Sequence, residues 1–163
     1  MTEADPAFRR IDDRLINSTL DLAAGNARRR LNVNFHEYPD PVQRMLNCAW
    51  PDSYFHPHRH DDPSHVEVIL VVRGRALVFL FEDTGQPRSA VELNGTGPCY
   101  GVEVPPTIWH SLLAIGGPTA FYEVAEGPFR GVAHAEPAPW APRDPVAGVT
   151  FLRAAAQRLG LRV

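Results

Sequence analysis

Residues 56–74 read HPHRHDDPSHVEVILVVRG and hold four of the chain's seven histidines, followed by a glutamate that opens an apolar run. Imidazole and carboxylate groups bind borderline transition metals and exchange protons near neutral pH. His58 and His60 lie two apart, so on an extended strand both rings leave the same face and can converge on one point. If residues 61–66 form a turn, Glu67 returns beside them on that inner face, together with Ile69 and Val71. Any fourth donor has to come from a distant segment. In VPPTIWHSLLA, His110 shares a strand face with Leu112 and Ala114, while Trp109, Ser111 and Leu113 take the other. Three imidazoles and one carboxylate suit Fe²⁺, Mn²⁺, Ni²⁺, Co²⁺ or Zn²⁺ rather than Ca²⁺ or Mg²⁺. An octahedral ion on such a set keeps positions for water or a substrate oxygen. The competing reading is a solvated hairpin turn with a core histidine at 110 satisfied by hydrogen bonds. His56 shares the parity of His58 and His60 but precedes Pro57, which points to the cavity rim; His65 falls in the turn.

These residues need strands to position them, and the chain supplies the pattern. RLNVNF at 30–35 alternates, VQRMLNCAW at 42–50 is extended, and VEVILVVRG, ALVFLFED, SAVELN, YGVEV, TIWHSLLAI and TAFYEVAEG follow. Each is short, apolar or alternating, and bounded by Gly, Pro, Asn or Asp. Gly74 is expected to close the first of these by a turn before ALVFLF runs back. Strands with turns every 8 to 12 residues predict a sandwich or barrel, and a jelly roll suits them best. The run 66–72 is apolar at both parities, which calls for a cover on its outer face, either the terminal helix or a partner subunit. Before the strands, IDDRLINSTLDLAA at 11–24 has helical spacing, with Asp12 or Asp13 as cap and Gly25-Asn26 as stop. After them, 128–148 is rich in Pro, Ala and Gly and reads as a covering loop anchored by Trp140 and Phe129. TFLRAAAQRLG at 150–160 predicts a closing helix.

Composition narrows the partners. A chain of 163 residues with 44% hydrophobic content suits one domain with its own core. The expected plan is a single domain over 1–163: a helical extension at 1–27, a β-barrel core at 28–128, and a covering loop with helix at 129–163. A formal charge of −3 argues against a nucleic-acid or membrane partner and favours a small molecule. The triplet Arg28-Arg29-Arg30 reads as a solvated helix exit. Cys48 and Cys99 form no CxxC pair and no disulfide framework, and MTEADPAFRRIDD is too charged for the apolar core of a secretory signal, so the expected location is the cytoplasm.

HxH followed by Glu, then a glycine, resembles the first motif of the cupins, and PPTIWH resembles the second. A longer series, RRRLNVNFH, DPVQRML, SYFHPHRH, VEVPPTIWH, FYEVAEGPF and APWAP, resembles the WbuC-type cupin fold metalloproteins, of the RmlC-like superfamily, whose genes typically lie with those of O-antigen polysaccharide biosynthesis. The resemblance implies an all-β double-stranded β-helix with short N- and C-terminal helices, and a divalent metal on His58, His60, Glu67 and His110. It departs from the common cupin pattern in the longer interval between His60 and Glu67, and in Thr107, which stands where many cupins have glycine. Around that set, Arg44 and Gln43 sit in the family-like DPVQRML block, where the guanidinium serves either a structural ion pair or an anion clamp. His36, Tyr54 and Glu123 are further candidates for the pocket, as are Asn34, Tyr100 and Tyr122, while Arg59 points to a structural ion pair. The functional expectation is a homodimeric metal-dependent enzyme, an isomerase or dioxygenase acting on a sugar or sugar nucleotide of surface polysaccharide. The alternative is a non-catalytic module that binds a metal and a metabolite.

Overall fold

The computed structural model describes residues 5, 7–60, 66–131 and 135–163. The predicted turn at 61–65, including His65, lies outside the described residues. In chain order the elements are α1 (Asp13–Gly25), β1 (Arg30–Asn34), β2 (Val42–Ala49), β3 (His58–Arg59), β4 (Glu67–Phe81), β5 (Pro87–Asn94), β6 (Gly101–Val104), β7 (Trp109–Glu126), β8 (Glu136–Pro137) and α2 (Pro145–Arg158).

The strand plan corrects the expectation at two places. Gly74 does not reverse the chain: β4 runs through it as one 15-residue strand, with register shifts between Val71 and Arg75. Its φ of +78° belongs to the left-handed region, and a Cβ there would meet the Pro118 carbonyl oxygen at 2.7 Å. Glycine is required because the backbone bends tightly against a neighbour. Likewise TIWHSLLAI and TAFYEVAEG form one strand, β7, which passes through Gly116-Gly117-Pro118 opposite that bend. β4 and β7 pair antiparallel along both halves, and so each contributes to two walls of the barrel. One wall runs β1, β2, second half of β7, first half of β4, β6. The other runs β5, second half of β4, first half of β7, β3, β8.

The bulges also switch parity. Ile69 and Val71 face inward in the first half of β4, and Ala76 and Val78 do so in the second; all four join one core cluster with Leu93, Leu112 and Phe121. Leu77, Phe79 and Phe81 then point outward and are covered by Val149, Leu152, Ala155 and Ala156 of α2. The terminal helix therefore does not cover residues 66–72, as one of the expected arrangements required, and Val66, Leu70 and Val72 are exposed.

Each helix begins on an aspartate. Asp12 accepts from the Leu15 amide and Asp144 from the Ala147 amide, with Pro145 in the first turn of α2. That cap starts α2 earlier than the apolar periodicity alone suggests. In α1 the buried face is Ile16, Thr19, Leu20 and Ala23, packed on Leu46, Cys48 and Ala120, whereas Ile11 and Leu22 are exposed. Among the described residues, no helix is long and apolar enough to cross a membrane.

Candidate metal centre

β3 is not the hairpin partner of β4. His58 pairs with His110 on β7 and with Pro137 on β8, while Glu67 pairs with Val104 and Ala125 on the other wall. The histidines and the glutamate thus meet across the barrel rather than beside one another on a ribbon. One donor atom from each of His58, His60, Glu67 and His110 lies within 4.8 Å of all the others. The ring centroids of His58 and His110 are 4.3 Å apart. His60, Glu67 and His110 are buried, and His58 is partly so.

The backbone orients the rings. His58 Nδ1 lies 3.0 Å from the His56 carbonyl oxygen, and His110 Nδ1 lies 2.9 Å from that of Ile108. A carbonyl only accepts, so each Nδ1 carries the proton and donates, which leaves Nε2 of a neutral ring with its lone pair free. His110 Nε2 then faces Glu67 Oε2 at 3.1 Å, and His60 Nε2 lies 3.2 Å from the same oxygen. A lone pair facing a carboxylate oxygen is repulsive unless a cation resolves it, either a proton on the ring or a metal ion between them. This donor set fits a divalent transition metal.

The electrostatics follow from that crowding. Burial, and then the neighbouring His110, push His58 down to about 3, so it stays neutral. Burial also opposes charge on His110, but the hydrogen bond and negative charge of Glu67 outweigh it and hold the ring above its ordinary value. Glu67 lies well below the usual carboxylate range: burial works against it, and the hydrogen bonds to His110 and His60 prevail. Glu123 goes the other way, raised well above that range by burial and by the charge of Glu67, against the hydrogen bond from Asn47.

A cavity of about 230 Å³ opens on the cluster, walled by His58, Glu67, His110, Asn47, Glu123 and Phe55 among others. A wider pocket of about 430 Å³ shares Asn32, Met45, His58 and Glu123 with it and adds His36, Tyr38, Gln43 and Arg28. Of the other residues singled out in the sequence, Glu123 faces the cavity and accepts from Asn47 Nδ2 at 3.0 Å. His36 lines the wider pocket, its Nδ1 accepting from the Arg44 amide. Gln43 is buried there, but its Nε2 donates to the Asp40 and Tyr38 carbonyls. Arg44 is drawn away: it pairs with Asp40 at 3.1 Å and lines neither pocket. Tyr54 is buried in the cluster under α2, its ring against Gly148, and burial takes its hydroxyl up to about 12. His56 lines a third pocket, at the rim, with Arg30, Phe55 and His58. Arg59 pairs with Glu136 at 2.7 Å and lies over the Trp109 ring. Sequence reasoning passed over Asn47, Phe55 and Arg30, although Arg30 and Asn32 share the parity of Asn34, and Asn47 that of Gln43.

The turn before His110 bears on the same site. Thr107 adopts φ +62°, in the left-handed region that favours glycine, and its amide donates to the His60 carbonyl oxygen at 3.0 Å. A β-branched residue is strained there, by roughly 1–2 kcal/mol. The strained turn ties the His110 segment to the His60 backbone.

The model of a family described as "Domain of unknown function (DUF6016)" matches residues 11–93, just over half of the chain. The chain belongs to this family. No curated protein matches it. Among solved structures, this DUF6016 chain is similar to an uncharacterized conserved protein with a double-stranded β-helix domain from Klebsiella pneumoniae, with a TM-score of 0.56 and 16% identity over 85% of this chain and 98% of that one. It is also similar to a cupin 2 domain-containing protein from Halorhodospira halophila, with a TM-score of 0.51 and 22% identity over 82% and 83%. The capsular polysaccharide assembling protein CapF from Staphylococcus aureus gives a TM-score of 0.53 and 19% identity over 68% of this chain but only 32% of CapF. These likenesses show the fold, a cupin double-stranded β-helix.

Proposed function

We propose that this protein is a divalent-transition-metal-dependent enzyme that acts on an oxygen-rich small molecule in the barrel cavity. The observation that carries the proposal is the convergence of His58, His60, Glu67 and His110 within 4.8 Å at the wall of a cavity that adjoins a wider pocket of about 430 Å³. A metal held by those four would supply Lewis acidity, or oxygen activation if redox-active, to substrate oxygens. The chain's own residues do the rest. His58 and His110 are locked by backbone carbonyls and present Nε2, while Phe55, Ile69, Leu112 and Phe121 exclude water. Glu123, steadied by Asn47, offers a carboxyl group to the substrate from the adjoining wall.

The reaction class is isomerisation or oxygenation. The substrate class, a sugar or sugar nucleotide of surface polysaccharide, rests on the WbuC-type blocks of the sequence; CapF is a capsular polysaccharide assembling protein, and its likeness to this chain is one of fold. The test is elemental analysis of untagged protein, followed by assays of sugar-nucleotide turnover and oxygen consumption. One equivalent of transition metal, lost in His58→Ala, together with turnover supports the enzyme. Stoichiometric metal and tight ligand binding without product would make the protein a binding module. Absence of stoichiometric metal, with His58→Ala indistinguishable from the parent, would remove the basis of both readings.

A further inference from the structure

The basic triplet that reads as a solvated helix exit is divided by the fold. Arg29 is neutralised by Asp52 at 2.9 Å and lies over Trp50. Arg30 opens β1 and shares the parity of Asn32 and Asn34, so its side chain turns to the cavity side. Its guanidinium lies over the Phe55 ring, 4.5 Å from the centroid, and is half-buried. One Nη donates to the Tyr54 carbonyl and reaches Ser53 Oγ at 3.4 Å. Its Nε and other Nη form the edge that grips an oxyanion with two parallel N–H donors. That edge makes no hydrogen bond, and no carboxylate pairs with the group, among the described residues. A cation taken out of water without a counter-ion costs stability. Consistent with this, burial and then Arg28 bring the guanidinium down to about 10, still charged at neutral pH.

Its place explains the expense. Arg30, Phe55, His56 and His58 wall a pocket of about 380 Å³ at the rim, and His58 and Phe55 are also walls of the metal-centre cavity. Arg28 lines the adjoining wide pocket beside Asn32 and His58. The geometry points to Arg30, flanked by Arg28, as the binding site for an oxyanion, carboxylate or phosphate, on the small molecule whose other oxygens reach the His58-His60-Glu67-His110 cluster. The inference rests on the metal-centre reading and narrows its substrate to an anionic molecule. It also takes the anion-binding part from Arg44, whose charge Asp40 already meets. The Phe55 ring fixes the guanidinium plane, which makes the planar fork matter as well as the charge.

The test titrates the full chain, with and without one equivalent of Zn²⁺, with inorganic phosphate and with acetate, alongside a separate Zn²⁺ titration. The parent should bind at least one anion. Arg30→Gln should weaken it by roughly tenfold or more, Arg30→Lys by less, and Arg44→Gln should stay within about twofold. All three variants should keep the parent's Zn²⁺ affinity. A preference for phosphate assigns a phosphoryl group, and a preference for acetate assigns a carboxylate. If Arg30→Gln does not fold, Arg30→Lys and Arg28→Gln decide, since each should still weaken anion binding. Parent-like anion binding in every folded Arg30 and Arg28 variant, or none in the parent, overturns the proposal. Loss of Zn²⁺ binding in the parent overturns the metal reading instead, and the metal-free arm still reports on Arg30.

Discussion

β4 carries two apolar stretches that look alike in sequence, VILVV at 68–72 and ALVFLF at 76–81, and the barrel treats them differently. The second is covered on both sides: Ala76 and Val78 by the barrel core, Leu77, Phe79 and Phe81 by α2. The first is covered on its inner face only: its outer residues Leu70 and Val72 are 42% and 41% exposed, as is Val66 just before β4, at 38%. The doubly covered half pairs Leu80 with His110 and so anchors one metal donor; the singly covered half carries Glu67. Rigidity and chemistry are therefore divided between the halves of one strand, with the bulges at 71–75 as the joint. Dense packing fixes where His110 stands, and the thinner half accepts a buried carboxylate because the histidines opposite satisfy it.

That division can be broken from either side. The largest expected effect is on stability: Phe79→Ala should cost about 3–5 kcal/mol in denaturant unfolding while leaving the folded protein's metal affinity nearly unchanged. A comparable loss of metal binding at equal folded fraction would show that the halves are not separable. Next, Glu67→Gln should reduce metal affinity by about a hundredfold, measured by competition with a chromophoric chelator, with a much smaller effect on unfolding.

The pH dependence sharpens the same contrast. In the metal-free protein the proton on His110 is held by Glu67, above the ordinary histidine value, and metal must displace it. Affinity should then fall by about tenfold per pH unit as pH drops below that raised value, and level off above it. His58, pushed down to about 3, adds nothing to the slope until that far lower pH. A flat profile from pH 5 to 8 would contradict the Glu67–His110 coupling.

Smaller still, Thr107→Gly should stabilise the protein by about 1 kcal/mol by relieving its positive φ, read as a rise in Tm. Leu70→Ser, on the bare face, should change monomer stability by no more than about 0.5 kcal/mol. A larger, concentration-dependent loss would show instead that a second copy covers this face.

Much of this was legible beforehand. His-x-His parity, the distant His110 and the apolar alternation of the strands are local properties, and they led to the β-helix and to four residues that the structure brings together. Two strand pairs were read as separate strands because Gly74 and Gly116-Gly117 are turn signals in one dimension; in the barrel they bend β4 and β7 from one wall to the other. The start of α2 was missed because Asp144-Pro145, a cap, sits in a segment whose composition reads as loop. Arg30 was hidden inside a basic triplet, and only the pairing of Arg29 with Asp52 and of Arg44 with Asp40, with Arg28 exposed, leaves Arg30 half-buried without a carboxylate among the described residues.

The sequence by itself determined the donor types and their facing, because side-chain parity follows from strand geometry alone. Tertiary structure decided that Glu67 comes from the wall opposite His58 and His110, and that Arg30 rather than Arg44 stands at the rim with no carboxylate among the described residues. The first outcome depends on how β4 and β7 bend past each other, and the second on the turns that set Asp52 against Arg29 and Asp40 against Arg44. The bend is a long-range contact and the ion pairs depend on how the chain turns, so no local periodicity records either.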